Sequence, residues 1–283
     1  MSKRLPVVLL VLPFVLSSFS LGANDGSVTA NDVLAKHLEA IGAPEARAAI
    51  KTRIVQGSAR YKILVGGGGE ISGQTGMVSD GRKLRFMVKF PQDYRGENFL
   101  WNGDVVRVAF SNSSQSRSPF SGLVLAQDTI LKEGLFGGTL STAWALLDVP
   151  GRKPKLIYDG LKKVDGRDLH RFSYIPKKST DLVIRLFFDP ETFRHVLTVY
   201  TLEIGNNVGQ TVTESASLKA ERTVLQERFA DFTVVDGITL PTHWTIQLSR
   251  ELPDGSTTLS NWDLKEEKIR QNVTLDPRNF EAK

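Results

Sequence analysis

The sequence predicts a mainly β protein with helices, an α+β fold of about 10–11 antiparallel strands in one domain. Three observations predict it. Two stretches in the second half each read strand, polar turn, strand. Leu182–Phe188 and His195–Ile204 flank Asp189-Pro-Glu-Thr-Phe-Arg194, and Arg228–Val235 and Ile238–Leu248 flank Asp236-Gly237. Their β-branched and aromatic density suits strands, and Asp-Pro and Asp-Gly suit turns. The first half has the same grammar. Leu84, Phe86, Val88 and Phe90 alternate with Arg85, Met87 and Lys89, and Asn102-Gly103 joins Asn98–Trp101 to Asp104–Phe110. Between these β runs, residues 120–148 switch to helical spacing.

Taken in order, the chain opens with Met1-Ser-Lys-Arg4, an apolar run from Leu5 to Phe19, and small residues at Leu21-Gly22-Ala23. That is the pattern of a secretory signal peptide, residues 1–23, cleaved near Ala23. Its apolar core is shorter than the roughly 20 residues a membrane-spanning helix needs. A single domain, residues 24–283, follows. Asn31 or Asp32 is expected to cap a helix with Val33, Leu34, His37, Leu38 and Ile41 on one stripe. Gly42 ends it, and Pro44 opens a second. Strands are expected over Thr52–Val65 and Glu70–Val78, around the glycine run Gly66–Gly69. That run lacks the Gly-Lys-Ser/Thr of a phosphate loop and reads as a hairpin tip. Asn102-Gly103 predicts a type I′ turn, and Ser111–Ser118 a loop. In the insert, Gly122–Glu133 and Ser141–Leu147 are the helical pieces, separated by Gly134, Gly137 and Gly138. Pro150–Lys155 is a connector. Asp159-Gly160 and Asp165-Gly166 punctuate further hairpins before Thr257–Ile269.

The bulk numbers exclude several classes of function. The chain is 41% hydrophobic and 24% charged, enough apolar material for a core. Loss of Lys3 and Arg4 with the leader lowers the net charge from +5 to +3, too balanced for a nucleic-acid binder. There is no cysteine, hence no disulfide framework, no thiolate chemistry and no lipid-attachment cysteine. An export signal on a disulfide-free body predicts a periplasmic protein. The four histidines, His37, His170, His195 and His243, show no ligand spacing, and Gly-x-Ser-x-Gly is absent. No enzymatic activity, cofactor or metal is expected.

In this order the segments resemble the LolA/LolB superfamily of bacterial lipoprotein carriers. The phrases that carry the likeness are Asn98-Phe-Leu-Trp-Asn-Gly103, Val164-Asp-Gly166 before Leu169-His-Arg-Phe172, Phe188-Asp-Pro-Glu-Thr192 and Val235-Asp-Gly-Ile-Thr-Leu-Pro241. The resemblance spans Ala30 to Phe280. It implies a curved antiparallel half-barrel with a helical lid, and a function in holding lipid acyl chains in its concavity. This chain has no Arg-Pro pair of the kind the carriers use to control the lid, so the lipoprotein-sorting role itself is not implied.

On that basis the ligand-binding candidates are the inward-alternating residues Phe86, Val88, Trp101, Val106, Val108, Leu186, Phe188, Trp244 and Ile246. Gly134, Gly137, Gly138 and Trp144 are the lid and hinge candidates. The expected partner is a hydrophobic ligand, a lipid or an acylated protein, bound by a monomer. The alternative is a sensor or scaffold module that uses the same fold to meet an envelope protein.

Overall fold

The computed structural model of the 283-residue chain describes residues 28–91, 94–109, 117–205 and 220–281. The expected leader, Phe110 and the loop residues 111–116 lie outside them.

Two helices open the described chain, α1 (Ala30–Ile41) and α2 (Pro44–Ala49). The cap of α1 is Thr29, not Asn31 or Asp32. Its side chain accepts from Asp32 N–H while the Asp32 carboxylate accepts from Thr29 N–H, a reciprocal box that satisfies two orphan donors. Gly42 closes the helix, at a point where a β-carbon would lie 2.5 Å from Gly237 O.

Twelve strands follow: β1 (Thr52–Val65), β2 (Glu70–Asp80), β3 (Lys83–Lys89), β4 (Glu97–Trp101), β5 (Val106–Val108), β6 (Lys155–Val164), β7 (Arg167–Ile175), β8 (Val183–Phe188), β9 (His195–Ile204), β10 (Glu221–Val235), β11 (Ile238–Glu251) and β12 (Thr257–Gln271). They form one antiparallel sheet in the order β5-β4-β3-β2-β1-β12-β11-β10-β9-β8-β7-β6. Every neighbouring pair but β1–β12 is also adjacent in sequence, the pairing expected of short hairpin connections.

The twelve strands among the described residues exceed the sequence expectation of 10–11, and the Asp-Gly pairs do not all act as that expectation had them. Asp165-Gly166 and Asp236-Gly237 have positive φ at both residues and make tight hairpins. Asp159-Gly160 does not turn the chain. It forms a bulge inside β6, between Tyr158 and Leu161, with Gly160 at φ 77°. Asn102-Gly103 is not a type I′ turn, because only Gly103 takes positive φ. The Asn102 carboxamide oxygen instead accepts from the N–H groups of Asp104 and Val105.

Between β5 and β6 the chain must travel from one edge of the sheet to the other. It does so through α3 (Pro119–Ala126), α4 (Thr129–Lys132), 3₁₀ turns at Gly138–Leu140 and Ala145–Asp148, and α5 (Val149–Arg152). The insert is more broken than its apolar spacing suggests. Pro150 is helical and not in a connector, because Asp148 caps α5 through Gly151 N–H. The connector lies on one face of the sheet and closes a core that runs from Val108 on β5 to Tyr174 on β7.

Gly134 shows how tightly the connector is drawn in. Its φ is 66°, and a β-carbon there would lie 1.9 Å from Ala143 O. Gly134→Ala is expected to destabilise the protein by at least about 1–2 kcal/mol, the left-handed penalty alone. The urea unfolding midpoint measures it.

Candidate functional site

The nine ligand-binding candidates all lie on the covered face of the sheet. Phe86 and Val88 on β3, Val108 on β5, Leu186 and Phe188 on β8, and Trp244 and Ile246 on β11 are buried. Trp101 and Val106, at the β4–β5 edge, are half-buried. Alternation put these residues on one face, and the connector then covers them.

Phe136 from the connector sits at the centre. Its ring lies 5.1 Å from Phe86, 5.8 Å from Phe99 and 5.0 Å from Trp244, mostly edge to face. Phe120 of α3 packs against Phe99 at 4.9 Å and Trp262 at 5.0 Å. The trough is thus filled by the protein's own side chains. The small clefts at its margins hold about 50 Å³ beside Tyr61 and Trp262, and about 10 Å³ beside His37 and His195.

The lid candidates are packing positions in this conformation. Gly137 and Gly138 have φ of 77° and 50°. Added β-carbons would meet Met77 Cε at 2.6 Å and His195 Nδ1 at 2.8 Å. Absence of a side chain lets the connector backbone touch the sheet. Trp144 is fully buried and stacks on His195 at 4.5 Å.

Polar pins hold this greasy contact in register. The Trp144 Nε1–H donates to His37 Nε2 at 3.0 Å, and His37 Nδ1 lies 3.0 Å from Phe193 O. Indole nitrogen only donates, so Nε2 must accept and the proton sits on Nδ1. Burial pushes the His37 pKa down to about 4, which keeps this neutral tautomer. Burial likewise holds His195 well below the usual range.

Three buried carboxyls went unrecognised in the sequence. Glu227 on β10 accepts from Gly137 N–H at 2.8 Å and from Tyr200 O–H at 2.7 Å. Glu97 on β4 accepts from the hydroxyls of Ser118 and Ser121, at 2.8 and 2.6 Å, and ties the start of α3 to the sheet. Glu266 on β12 has a buried oxygen with no partner. Burial raises their pKa values to about 8, 7 and 8 respectively. The available signal was parity. Glu227 stands between Leu225 and Phe229, Glu97 two before Phe99, and Glu266 two after Leu264, each in an inward row.

Among the described residues, no group of three or more histidine, cysteine, aspartate or glutamate side chains is placed to hold a metal ion. None of their helices is long and apolar enough to cross a membrane. The arrangement offers apolar contact and anchoring hydrogen bonds.

No family profile matches the chain, and no curated protein matches it. Among solved structures, the chain is similar to a LolA-superfamily protein from Nitrosomonas europaea, with 14% identity and a TM-score of 0.44 over 90% of this chain and 99% of that one. It is also similar to a putative outer membrane lipoprotein-sorting protein domain from Vibrio parahaemolyticus, with 14% identity and a TM-score of 0.42 over 87% and 97%. MucB aligns with 13% identity and a TM-score of 0.26 over 87% and 99%. Likeness of this degree describes outline and carries no function with it.

The buried groups predict how stability follows pH. The three carboxyls keep their protons in the folded state up to pH 7–8 but lose them near 4.5 when unfolded. The folded state therefore binds more protons, and stability falls as pH rises through that window. His37 and His195 act oppositely. They stay neutral when folded, so stability is lost as pH falls below the unfolded value of 6.5. The melting temperature is expected to rise by several degrees from pH 8.5 to 6.5, at about 2–4 °C per kcal/mol, and to level off below. Glu227→Gln should flatten the alkaline limb, and a calorimetric series across pH measures both slopes.

Proposed function

We propose that the protein is a non-enzymatic periplasmic carrier or binding protein for a hydrophobic ligand, a lipid or the acyl chain of a lipidated protein. The ligand lies between the sheet, curved as a half-barrel, and the segment 119–152 acting as its lid. One observation carries this proposal. The apolar face is covered by a connector that leaves from one edge strand and enters the other, so it can lift without breaking a rung of the β ladder.

Curvature has its own support. Lys132 Nζ stands 5.9 Å from the Trp101 ring centre on β4, and the adjacent Glu133 accepts from the Tyr174 hydroxyl on β7 at 2.6 Å. Those strands are nine places apart in the sheet order. At about 4.8 Å per strand a flat sheet would separate them by roughly 43 Å. Two neighbouring residues that reach both strands support a sheet that wraps around the connector.

Magnitudes narrow the ligand. Phe120, Ile130, Leu131, Phe136 and Leu140 are fully buried connector side chains. At roughly 1.5–3 kcal/mol each, lifting these five alone costs about 8–15 kcal/mol. One acyl chain of about fifteen methylenes returns about 12 kcal/mol gross, at ~0.8 kcal/mol per methylene. A single chain is thus comparable with the cost of these five side chains, and a ligand with two or more chains exceeds it.

A second reading is favoured by the filled trough: a sensor or scaffold whose lid stays shut and whose surface meets an envelope protein. A lock separates the two. Thr142 N–H donates to Ser79 Oγ at 3.0 Å, pinning the connector to β2. In a chain with no cysteine, a Ser79→Cys/Thr142→Cys disulfide can staple that contact. Organic extracts of the reduced double variant, analysed by mass spectrometry, are expected to contain multi-chain lipid, and extracts of protein oxidised during expression to contain at least tenfold less. Lipid-free extracts in both forms, with a protein partner still retained, would turn the choice to the second reading.

A further inference from the structure

Two arginines stand at the corner between α1 and α2. Arg53, in the inward row of β1, is buried. Its Nη1–H donates to Thr139 O at 2.6 Å, and its Nε–H and Nη2–H donate to Gln271 Oε1 at 3.3 and 2.8 Å. All these acceptors are neutral. A guanidinium carries five N–H groups, so two remain after these bonds. Arg47, on α2, has a buried Nε–H with no partner. Among the described residues, neither arginine forms an ion pair with a carboxylate.

Both side chains border one cleft of about 30 Å³, whose apolar wall is Ile41, Ile50, Leu147 and Ile238. Arg53 is a buried charge without a counter-charge, and Arg47, half-buried, has its Nε edge enclosed beside it; a guanidinium taken out of water favours an opposite partner. Burial lowers the Arg53 pKa only to about 10, so it remains charged at neutral pH. The missing element is an anion. The space amounts to two or three water positions, at ~10–15 Å³ each. That suits the two oxygens of a planar carboxylate, which guanidinium groups engage with paired N–H donors.

We propose that this cleft is a binding site for the carboxylate of an alkyl acid, with Arg47 and Arg53 on the oxygens and the first methylenes against Ile50 and Leu147. None of the nine trough positions lines the cleft, but Thr139, Thr142 and Leu147 of the connector do, so the site belongs to the closed conformation.

Calorimetric titration of the purified protein at low chloride tests it, with sodium octanoate, sodium acetate, inorganic phosphate and octan-1-ol as probes. Octanoate is expected to bind saturably at one site, acetate more weakly, and octanol and phosphate not at all. Arg47→Gln should weaken octanoate at least tenfold while leaving the melting temperature within a degree of the parent. Arg53→Gln should abolish binding, and if it fails to fold, Arg47→Gln still decides. Equal binding of octanol and octanoate would overturn the proposal. So would phosphate preferred to acetate, octanoate binding unchanged in folded Arg47→Gln, or no response to any carboxylate at millimolar concentration.

Discussion

The structure depends on how one sheet face is covered. Because β5 and β6 stand at opposite ends of the strand order, the chain between them has to cross the sheet. The face it crosses carries Phe86, Phe99, Phe229, Trp244 and Trp262, which would be costly to leave in water. The same segment, residues 119–152, therefore solves two problems, connection and burial. That explains why a segment so broken in secondary structure is so deeply buried, with Phe120, Ile130, Leu131, Phe136, Leu140 and Trp144 all inaccessible to solvent.

Apolar contact alone would let such a segment slide, since hydrophobic burial has no direction. The polar pins supply the direction. Glu227 fixes Gly137, Glu97 fixes Ser118 and Ser121, and His37 fixes Trp144. Each places a strong hydrogen-bonding group in low dielectric, where a mispaired arrangement is expensive. Two of the pins involve carboxyls that stay protonated to near neutral pH. Such a proton removes the charge but keeps acceptor capacity and adds a donor. Glu266 has an unpaired oxygen and no comparable anchoring contact, and its charge state bears on stability and not on the position of the connector.

Much of the sheet was legible because a strand has period two and an inward row must be apolar. Leu84, Phe86 and Val88 gave the inward row of β3, and Phe90 continued it past the strand's end, without any knowledge of its neighbours. The helices at the start were legible from Gly42 and Pro44. Asp159-Gly160 was misleading because the same dipeptide serves a tight turn or a bulge, and the choice depends on whether the partner strand continues past it, as β7 does. The buried acids and Arg53 were missed for a related reason. Their partners come from residues 90, 21 and 86 positions away in Glu227–Gly137, Glu97–Ser118 and Arg53–Thr139. No local pattern announces such pairings, and a charged residue in an inward row reads as an exception until its partner is known.

The contrast between the two ends of the molecule follows from those partners. At the centre, the acids meet hydroxyls and amides, and the protein supplies what they need. At the α1–α2 corner, Arg53 meets only a carbonyl and a carboxamide, and Arg47 leaves a buried N–H unmet. Protonation relieves a buried acid near pH 7. A guanidinium has no such escape, because even a lowered pKa of about 10 leaves it charged. The buried acids can shed their charge by taking up protons, whereas Arg53 keeps its charge against neutral acceptors alone. That difference is the reason an anionic guest is proposed for the corner and not for the filled trough.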